Sequence, residues 1–232
     1  MPLPAFCQTS PLVLNTSSFP PVNTPAKEGF LDLLYRELSA RLGVPIVIQI
    51  LPAERCLQNA NAGIDDGDTS RIAGLEATYT NLVHTSEPVM SFQMVVFSRD
   101  KYFQVEGPES LTPHALGIVT GWKILERATQ QHPARISVES IDQLFMMLDQ
   151  GRVDIALIDR LVGMDAVKRL GIKGIRILSP PLVTGDWFLY LHKKHQALIP
   201  RFDAELRKMK QDGSYERILQ QVLSRYEQSI GR

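Results

Sequence analysis

The strongest constraint on the fold comes from residues 140–160, which read SIDQLFMMLDQGRVDIALIDR. Apolar residues recur at helical spacing over residues 144–148, and Gly151 supplies the left-handed residue that commonly ends a helix. Residues 153–158 are almost continuously apolar, which is typical of a parallel strand buried on both faces. The segment therefore predicts a helix, a glycine turn and a buried strand in succession.

An acidic residue, Asp159, stands at the end of this predicted strand. In open α/β sheets, ligands bind just beyond the carboxyl ends of the strands. Asp is also a preferred N-cap residue, and the next helix is predicted to begin at Arg160. Asp159 is therefore expected either to contact a ligand or to cap this helix, and the two roles are compatible.

Helices and short apolar strands alternate along the rest of the chain, which predicts an α/β fold with mostly parallel sheets. Strands are predicted near residues 12–16, 44–51, 71–75, 90–97, 116–120, 135–138, 153–158, 175–178 and 187–191. Helices are predicted near residues 30–42, 53–62, 122–131, 140–150, 160–170 and 197–226. The alternation changes at residues 90–97 and 187–191, so we interpret these two β-runs as crossings between two lobes.

Charge and cysteine content limit the classes to which the protein can belong. The 232 residues include 25 Lys and Arg and 25 Asp and Glu, and this balance argues against a dedicated nucleic-acid-binding protein. No apolar run reaches the roughly 18 residues that span a bilayer. The N-terminus does not read as a signal peptide, so the protein is either cytoplasmic or exported with its signal removed. Cys7 and Cys56 either form one disulfide or remain separate thiols.

Motifs for catalysis are missing from the sequence. It contains no nucleophile elbow, no HExxH zinc motif and no phosphate-binding loop, and its five histidines are scattered. We therefore expect no enzymatic activity, no cofactor and no metal site.

Five segments, taken in order, resemble the extracellular solute-binding proteins of family 3, the amino-acid-type binding proteins of ABC importers. They read AKEGFLDLLYRELSARLGVPIVIQILP, TSEPVMSFQMVVFSR, HALGIVTGWKILERA, GRVDIALID and LRKMKQDGSYERILQQVL. The resemblance implies a two-lobed clamp with the type 2 periplasmic-binding-protein fold, each lobe a mixed, mostly parallel sheet flanked by helices. It places the first lobe at residues 1–95 plus 188–232 and the second lobe at residues 96–187, with two crossings between them.

The resemblance also implies a function. Such proteins hold a small solute between the lobes, close on it by hinge motion and deliver it to a membrane ABC permease. We therefore expect a periplasmic monomer whose signal sequence has been removed. Two alternatives remain open. One is the same clamp as the sensor module of a signalling system, and the other is a cyclohexadienyl-dehydratase-like enzyme with Glu76 or Asp159 as general acid.

By position, the resemblance assigns three regions of this chain to the ligand. Asp159 matches the acid that holds the ligand's ammonium group, and Phe19 matches an aromatic residue that covers the ligand. Gly121, Trp122 and Lys123 match the glycine and polar pair that open the first helix of the second lobe, where free N–H groups bind carboxylates. Trp122 either stacks on the ligand or packs between the lobes. Lys123 is either a ligand contact or a solvated charge.

The arginine that clamps the α-carboxylate in the amino-acid-binding members has no counterpart in residues 75–85. Glu76 takes the place of a threonine there, and Tyr79 or Asn81 falls near the place of the missing arginine. Arg55 lies where the family offers a second aromatic residue. The resemblance therefore implies a pocket with altered walls.

Arg71 is the candidate to replace the missing clamp, provided that its side chain faces the cleft. Otherwise it is an exposed strand residue or a partner of Asp65 or Asp68. The resulting site, with two acids and two arginines, suits a polar or cationic ligand better than a plain α-amino acid. Its ligand is therefore predicted to be a small polar solute.

Overall fold

The computed structural model describes residues 10–227, and its side chains through residue 224. Cys7 lies outside these residues, so the choice between a disulfide with Cys56 and two separate thiols stays open. Cys56 itself is buried, and burial raises the pKa of its thiol to about 12.

The strands are β1 Leu12–Thr16, β2 Ile46–Ile50, β3 Gly67–Arg71, β4 Leu82–His84, β5 Met90–Ser98, β6 Leu116–Val119, β7 Arg135–Val138, β8 Ile155–Asp159 and β9 Arg176–His192. The α-helices are α1 Phe30–Leu42, α2 Ala53–Asn61, α3 Lys123–Ala128, α4 Ile141–Asp149, α5 Arg160–Arg169, α6 Ile199–Gln211 and α7 Ser214–Glu227. Short 3-10 helices occupy Pro108–Leu111 and Lys193–Leu198. Among the described residues, no helix is both long and apolar enough to cross a bilayer.

Helix α1 forms because its apolar residues fall on one face. Phe30, Leu34 and Leu38 recur every four residues and are fully buried against the first sheet and the C-terminal helices. The helix ends at Gly43, whose φ of 64° is the left-handed conformation that glycine adopts without strain. The helix predicted at residues 30–42 is confirmed.

The strands form two sheets that share β9. In the first sheet, β1 pairs in parallel with β2 and β3, and the C-terminal part of β9 pairs antiparallel with β3 and β4. In the second, β6 pairs in parallel with β7 and β8, and β5 pairs antiparallel with β8 and the N-terminal part of β9. We call the first sheet with α1, α2, α6 and α7 the first lobe. The second lobe is the second sheet with α3, α4 and α5.

The predicted fold class, an α/β protein of two lobes, is confirmed. Strand β9 changes its partner from β5 to β3 between Trp187 and Phe188. This change supports lobe boundaries at residues 1–95 plus 188–232 and at residues 96–187, which stay a prediction.

The predicted position of the third strand was wrong. The strand is Gly67–Arg71 and not residues 71–75. Its sequence, GDTSR, lacks an apolar pattern, yet most of it is buried because its polar groups bond each other. The Asp68 carboxylate accepts a hydrogen bond from Nε of Arg71 at 2.8 Å. A Cβ on the first residue would lie 2.2 Å from the Tyr190 carbonyl oxygen, so only glycine fits there.

The two strands predicted at residues 175–178 and 187–191 are parts of the single strand β9. Residues 180–181 are both proline and cannot donate to a strand ladder. The pairing with β5 shifts its register between Met94 and Val96, and the prolines lie in this irregular stretch. The prolines therefore interrupt the ladder without ending the strand.

Candidate ligand-binding cleft

A small cavity of about 40 Å³ lies between the lobes. Its walls come from the loop after β1, the end of β3, the start of α3 and strand β9. They are Thr16, Ser17, Phe19, Asp68, Ser70, Arg71, Ile72, Leu75, Trp122, Lys123, Ile124 and Trp187. The carboxyl ends of the parallel strands β1 and β3 therefore meet the second lobe here, at the kind of position where open α/β sheets bind ligands.

Three aromatic rings form the apolar wall of the cavity. Phe19 contacts Trp122 and Trp187 edge to face, with ring centroids 5.8 Å apart in both pairs, and the two indoles lie 6.2 Å apart. Trp187 also stacks on Phe92. Trp122 therefore packs between the lobes, which is one of its two predicted roles. Its contact with a ligand stays a prediction.

The polar wall is dominated by the ion pair of Arg71 and Asp68. Nε of Arg71 donates to Asp68 Oδ2 at 2.8 Å, and one Nη2 hydrogen points to the carbonyl oxygen of Ala53 at 2.9 Å. Burial raises the pKa of Asp68, and the guanidinium of Arg71 opposes this shift. Arg71 therefore lies in the cavity wall and pairs with Asp68, while its role as a clamp for the ligand stays a prediction.

An irregularity in β3 allows this pair to form on the cavity side. Residues three apart in a regular strand point to opposite faces of the sheet. The pairing of β3 with β9 shifts register between Asp68 and Arg71, and such bulges re-aim side chains. Both side chains therefore reach the same cavity.

Lys123 connects the two lobes by charge. Its Nζ lies 2.5 Å from Glu54 Oε2 on α2 and 3.2 Å from Glu126 Oε2 on its own helix. Glu54 also accepts a hydrogen bond from the hydroxyl of Tyr79 at 3.0 Å. Burial lowers the pKa of Lys123, but the hydrogen bonds to the two carboxylates outweigh it and hold that pKa above its ordinary value.

We expect the Lys123→Met substitution to let the lobes move apart, because it removes the ion pair between α3 and α2. The effect on stability should be small, below about 1 kcal/mol, since the pair is partly exposed. Small-angle scattering should show a larger radius of gyration. Lys101→Met is the matched control, because Lys101 pairs with Asp154 inside the second lobe at 3.2 Å. Equal radii for both variants would contradict a role in holding the lobes together.

Gly121 allows the backbone of the second lobe to touch the first. Its φ is 84°, and a Cβ built on it would lie 2.7 Å from Cβ of Ala53 and 3.1 Å from the nitrogen of Glu54. The group that approaches this glycine closely is the start of helix α2. Its role toward a ligand stays a prediction.

The Gly121→Ala substitution should destabilise the protein more than the same change at Gly151. Gly151 has a φ of 67° and no atom within 4 Å of the position that a Cβ would take, so alanine there meets only the left-handed strain, about 1–2 kcal/mol. At Gly121 the clash with α2 adds about 1–3 kcal/mol. Urea denaturation of both variants measures the difference. Identical losses would show that the lobes are not in contact at Gly121.

Asp159 caps helix α5, as one of its two predicted roles required. Its Oδ1 accepts hydrogen bonds from the nitrogens of Leu161 and Val162 at 2.9 and 3.2 Å, and its Oδ2 accepts from the nitrogen of Gln93 at 3.2 Å. Burial raises its pKa to about 6, although these hydrogen bonds lower it. Asp159 borders an adjacent depression of about 530 Å³ and not the central cavity. Its role toward an ammonium group stays a prediction.

Gly121 and three other predicted site residues do not line the cavity either. Arg55 is exposed on α2, and Tyr79 faces Glu54. Glu76 is exposed and accepts a hydrogen bond from the Tyr190 hydroxyl at 2.8 Å. Because β3 ends at residue 71, Glu76 lies on the following loop and not at a strand end. The ligand roles of these residues stay predictions.

Eight of the twelve cavity residues were not predicted as ligand contacts, and Asp68 and Trp187 are the two with the most prominent contacts. Asp68 lies in a polar segment that reads as a loop, and the sequence gives no sign of the bulge that turns it inward. Trp187 begins a predicted crossing, and a crossing strand must pass the cleft, so this was the signal that could have located it. For a metal, no group of three or more His, Cys, Asp or Glu comes together among residues 10–227.

No family model matches the chain. A protein of Shewanella oneidensis, described only as uncharacterized, is 27% identical over 208 residues, which cover 84% of this chain and 76% of that protein.

Solved structures resemble this chain over most of its length. A mutant of ArgBP from T. maritima superposes with a TM-score of 0.79 at 20% identity, covering 92% of this chain and 95% of that chain. A histidine kinase sensor domain with similarity to periplasmic binding proteins gives 0.78 at 16% identity, over 92% and 96% of the chains. This chain has the two-lobed periplasmic-binding-protein fold.

A third similar structure is the amino acid ABC transporter substrate-binding protein AbpA from Streptococcus pneumoniae, bound to L-arginine. Its TM-score is 0.75 at 14% identity, over 92% of this chain and 94% of that chain. The periplasmic-binding-protein fold predicted from the sequence is confirmed across both lobes, while membership of family 3 stays a prediction.

Proposed function

We propose that this protein binds a small polar solute in the cavity between its lobes and does not convert it chemically. The observation that carries the proposal is the polar wall of the cavity, where Arg71 and Asp68 form a buried ion pair opposite an aromatic wall. Binding sites combine an apolar lining with a few polar groups that orient the ligand. This cavity has an apolar lining and a few polar groups, and residues of both lobes form its walls.

Arg71 is the anchor that we propose for the solute. Two of its five N–H donors bond to Asp68 and to the Ala53 carbonyl group, and the guanidinium also faces the Cys56 thiol, which leaves at most two donors for a ligand. The planar fork of an arginine matches the two oxygens of a carboxylate. Lys123 lines the same wall, but Glu54 and Glu126 already balance its charge. The remaining donors of Arg71 therefore favour a solute that carries an oxyanion such as a carboxylate.

A plain α-amino acid fits this arrangement poorly. It presents an ammonium and a carboxylate group on one carbon, and both need partners. Asp159 lies outside the cavity wall and already accepts three backbone hydrogen bonds. Asp68 lies in the cavity wall, but its carboxylate is already paired with Arg71. We therefore expect a small organic acid to bind better than a neutral amino acid.

The cellular role that we propose is delivery of the solute to a membrane ABC permease by a periplasmic monomer. The likeness to the ABC transporter substrate-binding protein from Streptococcus pneumoniae supports this role. The likeness to a histidine kinase sensor domain favours a second candidate, a sensor module. The dehydratase-like alternative has less support, because Glu76 and Asp159 both lie outside the cavity wall.

A thermal-shift screen tests the proposal. The panel contains small mono- and dicarboxylic acids, neutral amino acids and polyamines. A solute that binds only the folded state stabilises it, by about 2.7 kcal/mol at 100 times its Kd. Small carboxylic acids should raise the melting temperature, and Glu76→Gln should respond like the wild type because Glu76 lies outside the cavity. Stabilisation by neutral amino acids or polyamines alone would contradict the proposed ligand class.

A further inference from the structure

Trp122 borders two separate spaces between the lobes. One is the inner cavity of about 40 Å³, and the other is an outer groove of about 720 Å³ that lies between the start of α2 and the start of α4. Ser17 and Trp122 are the residues that belong to both walls. Of these two, only Trp122 carries a large side chain, so its indole is the largest group shared by the two walls.

The indole is held firmly in this position. It is only 9% exposed and packs edge to face on Phe19 and Trp187. The backbone before it is fixed by the contact of Gly121 with α2, and the residue after it, Lys123, is paired with Glu54. Moving the ring therefore requires the loss of contacts on both sides of the cleft.

We propose that Trp122 determines specificity by limiting the size of the solute. This inference rests on the proposed function and concerns the same cavity. A water molecule needs about 10–15 Å³ of such a cavity, so the inner space holds only a few atoms beyond Arg71. Typical ligand pockets are about 300–1,000 Å³. With the indole in place the site selects compact carboxylates, and without it the cavity opens into the groove and admits larger ones.

The test removes the indole side chain and then supplies an indole ring as part of a ligand. Trp122→Ala and the wild type are titrated calorimetrically with indole-3-acetate, whose carboxylate suits Arg71 and whose ring matches the removed side chain. The variant should bind indole-3-acetate at least about tenfold more tightly than the wild type, a difference of about 1.4 kcal/mol. Far-UV circular dichroism confirms that the variant is folded, and Trp122→Leu serves if the alanine variant is not.

Two further variants separate size from other effects. Ile124→Ala shortens a neighbouring side chain that lines the inner cavity but not the groove, so it should gain much less affinity than Trp122→Ala. The double variant Trp122→Ala with Arg71→Lys should bind indole-3-acetate more weakly than Trp122→Ala does. It should keep its affinity for indole, which has no carboxylate.

One result would overturn the inference: a folded Trp122→Ala variant that binds indole-3-acetate no more tightly than the wild type, since the indole would then not limit the size of the solute. This measurement does not use the natural solute. If the wild type responds to no member of the solute panel, the proposed function fails, and the result with indole-3-acetate distinguishes this failure from that of the size limit.

Discussion

Replacing Arg71 by methionine should lower the free energy of unfolding by about 3–5 kcal/mol, the usual loss when one partner of a buried ion pair is removed. The side chain of Asp68 is 1% exposed and that of Arg71 is 12% exposed, so bulk water solvates neither charge well. The variant also loses the hydrogen bond to the Ala53 carbonyl group. Urea denaturation of both proteins at pH 7 measures this loss.

Two companion variants identify the cause. Asp68→Asn with Arg71→Met removes both charges and should recover part of the lost stability, because no unpaired carboxylate remains buried. Arg71→Lys keeps the charge and should be less damaging than methionine. A double variant as unstable as Arg71→Met would contradict the account, since the loss would then come from packing and not from the charge left on Asp68.

Replacing Asp159 by asparagine should change the pH dependence of stability. Its pKa is about 6 in the folded protein, and the ordinary value is 3.8. A raised pKa means that the folded state binds the proton more tightly, so this contribution to stability is complete below pH 4 and is lost as the pH rises through 6. The difference of about two pH units corresponds to about 3 kcal/mol.

The measurement is the free energy of unfolding of wild type and Asp159→Asn at pH 4 and pH 7. From pH 4 to pH 7, the free energy of unfolding of the wild type should fall by about 3 kcal/mol relative to that of Asp159→Asn. Asparagine keeps an acceptor for the N-terminus of α5, whereas Asp159→Ala also loses the cap, which costs about 1 kcal/mol more at both pH values. A constant difference between wild type and Asp159→Asn would show that Asp159 does not titrate in this range.

The fold was largely predictable from sequence because most of its elements carry an apolar pattern. The stripe of α1 and the apolar run of β8 both require burial, and each is found close to its predicted place. Strand β3 was misplaced since its burial depends on pairing between polar side chains and not on apolar residues. The length of β9 was underestimated because residues 180–181 are proline, which local rules treat as a strand end.

The cavity was only partly predictable. Phe19, Arg71, Trp122 and Lys123 reach its wall, since each follows a strand end or opens a helix at the cleft. Asp68 reaches it through a bulge that depends on pairing between distant strands. Glu76 was placed at a strand end that lies at residue 71 instead. Side-chain direction across two lobes is set by tertiary contacts, which a local pattern does not contain.

The central claim is that the cavity binds an oxyanion-bearing solute through Arg71. The most direct test is calorimetric titration of the wild type and Arg71→Lys with the carboxylic acid that gives the largest thermal shift. Lysine keeps the charge beside Asp68 but not the planar fork that matches a carboxylate. The wild type should bind, and the folded lysine variant should bind at least about tenfold more weakly. Equal affinity of the two proteins would contradict the account.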